Sequence, residues 1–158
     1  MEPALLTLAG WLHAIGLTQW ARAVPWVYPA ANVLHVLGVV MLLGGIGVLD
    51  LRVTGLWRRL PLDYLAAALI PLAMTGFIIQ ILSGGILFAA DGRTLAASFT
   101  FQIKLVLILL ALANVILFRV AAGRSRLVEP GAALRLSALG SLSLWIAVAV
   151  FGRLIAYY

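Results

Sequence analysis

Residues 28–49 read YPAANVLHVLGVVMLLGGIGVL, an apolar run with no carboxylate, lysine or arginine and a single histidine, His35. A helix needs about 20 predominantly apolar residues to cross a hydrocarbon core of roughly 30 Å, and this run is long enough. An ionisable ring inside such a span is costly. Such residues usually face a protein interior or cavity and mark a cofactor, ion or proton site. The chain has only two histidines, so the surroundings of His35 decide how the whole sequence is read.

Outside that run the composition is of the same kind. The 158 residues are 65% hydrophobic and 10% charged, and the mean hydropathy is +1.15. A soluble domain is nearer half apolar and a quarter charged. Long unbroken apolar runs point to helices rather than the alternating pattern of a membrane barrel. The length allows one domain, residues 1–158. The absence of cysteine excludes disulfides, thiolate metal sites and thiol redox chemistry. The net charge of +6 sits beside apolar segments, where topology signals lie, so nucleic acid is not an expected partner.

Four spans are expected, at about 28–49, 64–90, 100–118 and 136–157, forming a four-helix membrane bundle. The second carries Pro71, Gly76 and the pair Gly84-Gly85, and a kink or tilt is expected there. Residues 3–22 are more polar and shorter. Leu5, Leu8, Leu12 and Ile15 recur at helical spacing, interrupted by Thr7, His13 and Gln19. They read as one interfacial helix within residues 1–24, joined to the first span around Pro25 and Pro29. Ala21-Arg22-Ala23 superficially matches a cleavage site, but Glu2 stands where a basic segment belongs, so the helix reads as retained.

Arginine placement sets the orientation. Arg52, Arg58, Arg59, Arg119, Arg124, Arg126 and Arg135 flank the first-to-second and third-to-fourth connections. Arg22, Arg93, Lys104 and Arg153 lie towards the other side. The positive-inside rule then predicts a multi-pass bacterial inner-membrane protein with both termini periplasmic. Tyr28, Tyr64, Trp57, Tyr157 and Tyr158 fall at expected interfaces, as amphipathic rings do. Gly38, Gly44, Gly45, Gly47, Ala111 and Ala113 suit close helix packing.

The polar residues converge at one depth. At 1.5 Å of rise per residue, His35 lies about 10 Å, and Lys104 and Arg153 about 6 Å, inside the outer ends of their spans. Gln80 and Ser83 are placed deeper, and Asn32 one turn outward. The acids on that side are Asp91 and Glu2. Buried cations need counter-charges, so a ligand anion is one reading and snorkelling to headgroups the other. For His35 the alternatives are a neutral ring bonded to a neighbouring helix, or the axial ligand of a haem b. Copper is the further alternative, with Met41 and Met74 as soft partners. His13 is a candidate second ligand or a wetted interfacial histidine. Asp50 and Arg52 are expected to form a charge cluster with Arg58 or Arg59. No nucleophile triad, phosphate loop or paired carboxylates support hydrolase or kinase chemistry, and whether the chain is an enzyme stays open.

A resemblance follows from particular residues: the run Trp26–Pro29, His35 before Leu37-Gly38, and Gly44 leading to Asp50-Leu51-Arg52. Arg59-Leu60-Pro61, Gly84 before Leu87-Phe88, and Phe101 before Lys104-Leu105 extend it. In these the chain resembles an uncharacterised family of small bacterial four-helix inner-membrane proteins, over nearly its whole length. More distantly, His35 and Lys104-Leu105 are similar to CopD-like copper-resistance proteins and J-type protoporphyrinogen oxidase. The latter resemblance implies a haem-associated bundle in which His35 and Lys104 matter. The expected protein binds haem b through His35, with Lys104, Arg153 and His13 as further site residues and a periplasmic or membrane redox partner. A copper or small-anion handling protein and a cofactor-free partner subunit are the alternatives.

Overall fold

The computed structural model describes residues 1–123 and 131–157. They form six helices: α1 Glu2–Ala14, α2 Leu17–Ala23, α3 Val27–Thr54, α4 Leu62–Ala97, α5 Phe99–Gly123 and α6 Ala132–Leu154. Four of them, α3 to α6, are long and apolar enough to cross a membrane. Arg124, Arg126 and Tyr158 lie outside the described residues. The starts of α3 and α5 and the ends of α4 and α6 meet at one end of the bundle, the terminal end. The opposite end, with residues 55–61, is the loop end.

The expected spans fall inside the observed helices, except that α6 starts and ends earlier than 136–157. At the loop end α3 runs on past Leu49 through Asp50 and Arg52. It stops where Gly55 takes a left-handed φ of +116° and its N–H closes onto the Arg52 carbonyl. The amino-terminal segment is two helices rather than one. Gly16, at φ +82°, separates α1 from α2, a conformation that a side chain disfavours. In α4, helical dihedrals continue through Pro71 and Gly84-Gly85, and the break falls at Asp91 instead (φ −125°, ψ 25°). Arg22 explains why that break is tolerated. Its Nε donates to the Ala90 carbonyl at 2.7 Å, and the same guanidinium pairs with Asp91 at 2.8 Å. An arginine from α2 thus satisfies backbone and side chain where the helix ladder is interrupted.

Small residues set the packing of α3 on α4. A Cβ on Gly38 would stand 2.9 Å from the Gly76 carbonyl, one on Gly45 2.9 Å from the Leu69 carbonyl, and one on Gly76 2.7 Å from the Leu42 amide. Gly44 touches nothing and belongs to the outer surface. Three apolar layers follow along the bundle: Ala21, Val27 and Ala90 at the terminal end; Leu42, Ala73, Ala111 and Trp145 in the middle; Val53, Leu62, Leu134 and Ala138 at the loop end. Phe77 meets Trp145 edge-on at 6.4 Å in the middle layer. The large apolar side chains Val33, Val40, Ile78, Leu109, Leu117 and Ile146 point outward. Small inside and large apolar outside is the distribution that lipid-facing bundles show.

The expected cluster of Asp50 with the loop arginines does not form. Arg52 donates to the Leu60 and Arg58 carbonyls, at 2.7 and 3.0 Å, and Arg58 to the Gly55 carbonyl at 3.2 Å. The loop turns back over the end of α3, and its carbonyls take the guanidinium groups that Asp50 was expected to hold. Asp50 turns instead into the α3–α6 seam, towards Ser141.

Candidate functional site

His35 sits on the face of α3 that packs against α4, half-buried. Its Nδ1 lies 2.9 Å from Ser83 Oγ. The Ser83 hydroxyl donates at 2.5 Å to the Ile79 carbonyl one turn earlier on α4. A hydroxyl has one proton to donate and lone pairs with which to accept. With its proton on Ile79, Ser83 can only accept from His35, so Nδ1 carries the hydrogen and the neutral ring's Nε2 keeps its lone pair. Among the described residues no hydrogen bond is made to Nε2. This is the arrangement of a ligating histidine, whose second nitrogen is held by an outer hydrogen bond. Gln80 also reaches this level and donates to the His35 backbone carbonyl. Ser83 and Gln80 are therefore level with His35, not deeper as their position in the span suggested.

Glycine makes the room for the ring. A Cβ on Gly84 would lie 3.1 Å from His35 Cε1. The same device recurs at Lys104, whose chain passes over Gly152 of α6; a Cβ there would stand 3.3 Å from Nζ and 3.4 Å from Cε. Lys104 is half-buried, and its ammonium lies within Coulombic reach of His35. Two ionisable side chains from α3 and α5 thus occupy the terminal half of the bundle, each slotted over a glycine of the neighbouring helix. The slots were not evident from the sequence, because pairing Gly84 with His35 or Gly152 with Lys104 needs the register between helices.

The other expected residues are placed differently. Arg153 is exposed in the last turn of α6; it donates to the Tyr157 hydroxyl at 2.7 Å and stacks on that ring at 4.8 Å. It stands beside Gly152, and so beside the Lys104 chain, but at the rim. His13 is exposed on α1, with Gln19 at 3.5 Å. Its helix packs through Ala9 against Gly92, beyond the Asp91 break. His35 instead meets α4 at Ser83 and Gly84, before that break, and among the described residues no hydrogen bond joins it to His13. Asn32 is exposed. Met74 is exposed, and Met41 packs beside Gly76, deeper than His35.

A cleft of about 250 Å³ opens at the terminal end between Arg22, Pro25, Tyr28 and Asp91. His35 and Lys104 do not line it. Between the remaining helices, α4 and α5 approach each other little although they are consecutive in the chain. Their link is the single residue Ser98, and Phe88 stacks on Phe101 at 5.7 Å beside it. Among the described residues no three of His, Cys, Asp and Glu gather as a metal-ion set. The chemistry on offer is one imidazole nitrogen lone pair and one ammonium. Comparison with known family profiles, with curated proteins and with solved structures returned no match. The functional reading therefore rests on these residues.

Proposed function

We propose that the chain is a b-type haem-binding membrane protein in which His35 Nε2 is the protein's ligand to iron. The observation that carries this reading is the chain from His35 Nδ1 through Ser83 to the Ile79 carbonyl, which leaves Nε2 as a free, oriented donor. A bare copper or zinc ion takes several protein donors, and one histidine does not supply them. A porphyrin brings four nitrogens of its own, so a single histidine suffices. When bound, haem supplies redox chemistry at iron. Lys104 is suited to pair with a propionate, and Arg153 at the rim with a second on leaving Tyr157. The sparse contact of α4 with α5 is the side on which a macrocycle can be admitted. The distribution of arginines supports a bacterial inner-membrane location with the terminal end periplasmic.

The second reading is small-anion binding without a metal. It is favoured by Lys104, which makes no ion pair among the described residues; Asp91, at the break in α4, is paired with Arg22.

Pyridine haemochrome analysis after mild-detergent extraction from haem-supplemented cells separates these readings. The wild type is expected to carry haem b, and His35→Ala to lose it. Lys104→Ala is expected to weaken retention only, since a propionate pairing is worth about 0–1 kcal/mol where exposed and more where desolvated, less than the bond from His35 to iron. Haem absent from the wild type overturns the reading in favour of the anion site. Haem retained in His35→Ala and lost in His13→Ala reassigns the ligand.

A further inference from the structure

Asp50 lies one turn from the end of α3, and the proposed haem site makes no use of it. It is 8% exposed, and its Oδ2 has no hydrogen-bond partner among the described residues. Ser141, 4% exposed, faces it from α6. One turn further along α6, the Trp145 indole N–H is also buried, without an acceptor among the described residues. Buried polar groups without partners are rare in folded proteins and call for an explanation, a bound ion among them.

Among the described residues, the charged groups at this end do not neutralise the carboxylate; Arg124, Arg126 and Glu129 lie outside them. Arg52 and Arg58 are held by loop carbonyls. Arg59, in the loop before α4, Asp63, in the first turn of α4, and Arg119, near the end of α5, are exposed. Arg135 on α6 is half-buried; among the described residues its Nε has no partner and it makes no ion pair. The layer around Asp50 is apolar: Val53, Leu62, Leu134 and Ala138, with Leu49 and Phe118 against them. A bare carboxylate in such surroundings is heavily penalised unless a positive charge accompanies it. A single carboxylate balances one positive charge. A divalent ion would leave a net positive charge in this apolar layer; a sodium ion would draw the rest of its oxygen ligands from backbone carbonyls or water, and a proton needs none.

We propose that Asp50 and Ser141 form a binding site for a small monovalent cation, a proton or a sodium ion, at the loop end of the bundle. The carboxylate supplies the charge and the Ser141 hydroxyl an oxygen that turns its lone pair to a metal ion or its hydrogen to the carboxylate. The site is independent of haem, because the Leu42, Ala73, Ala111 and Trp145 layer separates it from His35.

The test is thermal unfolding of the purified full-length chain in detergent, with sodium replaced by choline at constant ionic strength and, separately, with pH varied. The wild type is expected to melt higher as sodium rises or as pH falls, by about 5–10 °C once the cation reaches a hundred times its Kd. Dependence on sodium identifies the metal ion; dependence on pH alone identifies the proton. Asp50→Asn, close in shape to the neutralised side chain, is expected to lose the sodium response and the share of the pH response that the carboxylate carries, with His35, His13 and Lys104 left in place. Ser141→Ala keeps the carboxylate and is expected to need a several-fold higher cation concentration for the same shift. Parallel curves for the wild type and Asp50→Asn on both axes overturn the site. A Ser141→Ala curve that matches the wild type overturns the hydroxyl's part in it.

Discussion

Ser83 has one hydroxyl proton, and it is used in a hydrogen bond donated to the Ile79 carbonyl. The tautomer of His35 is therefore decided by a neighbour on another helix, and nitrogen-15 NMR of the histidine rings can read it. Only two histidines contribute signals, and the exposed His13 serves as reference. The neutral His35 ring is expected to be protonated at Nδ1. In Ser83→Ala that preference is expected to weaken or reverse, because a buried donor without a partner costs about 1–3 kcal/mol. A wild-type ring protonated at Nε2 would sink the ligand assignment. Gly84→Ala leaves every polar group in place but sets a Cβ 3.1 Å from the ring. It is expected to shift the His35 signals and leave those of His13 unmoved.

Between elements, the close approach of α3 and α4 distinguishes two glycines that look alike in sequence. A Cβ at Gly76 meets backbone atoms of Leu42 and Gly38 at 2.7 and 2.8 Å, and neither helix can yield without moving. Gly76→Ala is expected to destabilise by about 1–3 kcal/mol through overpacking. Gly44→Ala meets nothing within 4 Å. It is expected to be neutral or to stabilise by up to about 1 kcal/mol, from the helix preference of alanine over glycine. Melting temperatures of the two variants side by side check both; equal destabilisation would contradict the packing of α3 on α4.

At the scale of the whole molecule, the four long helices place both ends of the described chain at one end of the bundle, with Arg52, Arg58, Arg59, Arg119 and Arg135 towards the other. The exposed surface carries large apolar side chains on every one of these helices. A reporter active only outside the cytoplasm, fused at the carboxyl terminus, is expected to be active. A cytoplasm-only reporter at the same place is expected to be silent. The reverse pattern would invert the bundle, and the proposed haem site would then open to the cytoplasm.

The sequence by itself determined the helical class and the rough positions of the four long helices, because hydropathy is a property of each residue wherever its neighbours lie. It also marked His35 and Lys104, since ionisable groups in apolar runs are conspicuous from the order of residues alone. Helix ends were less legible, because capping by Gly55 and the break at Asp91 depend on backbone conformation and on Arg22 reaching across from another helix. What only the tertiary structure decided was pairing: Ser83 and Gly84 with His35, Gly152 with Lys104, and Asp50 with Ser141 rather than with the arginines beside it in the chain. Those contacts follow from the rotation and register of each helix against the next. Small-residue contacts such as Gly38 on Gly76 set these, and no single segment contains them.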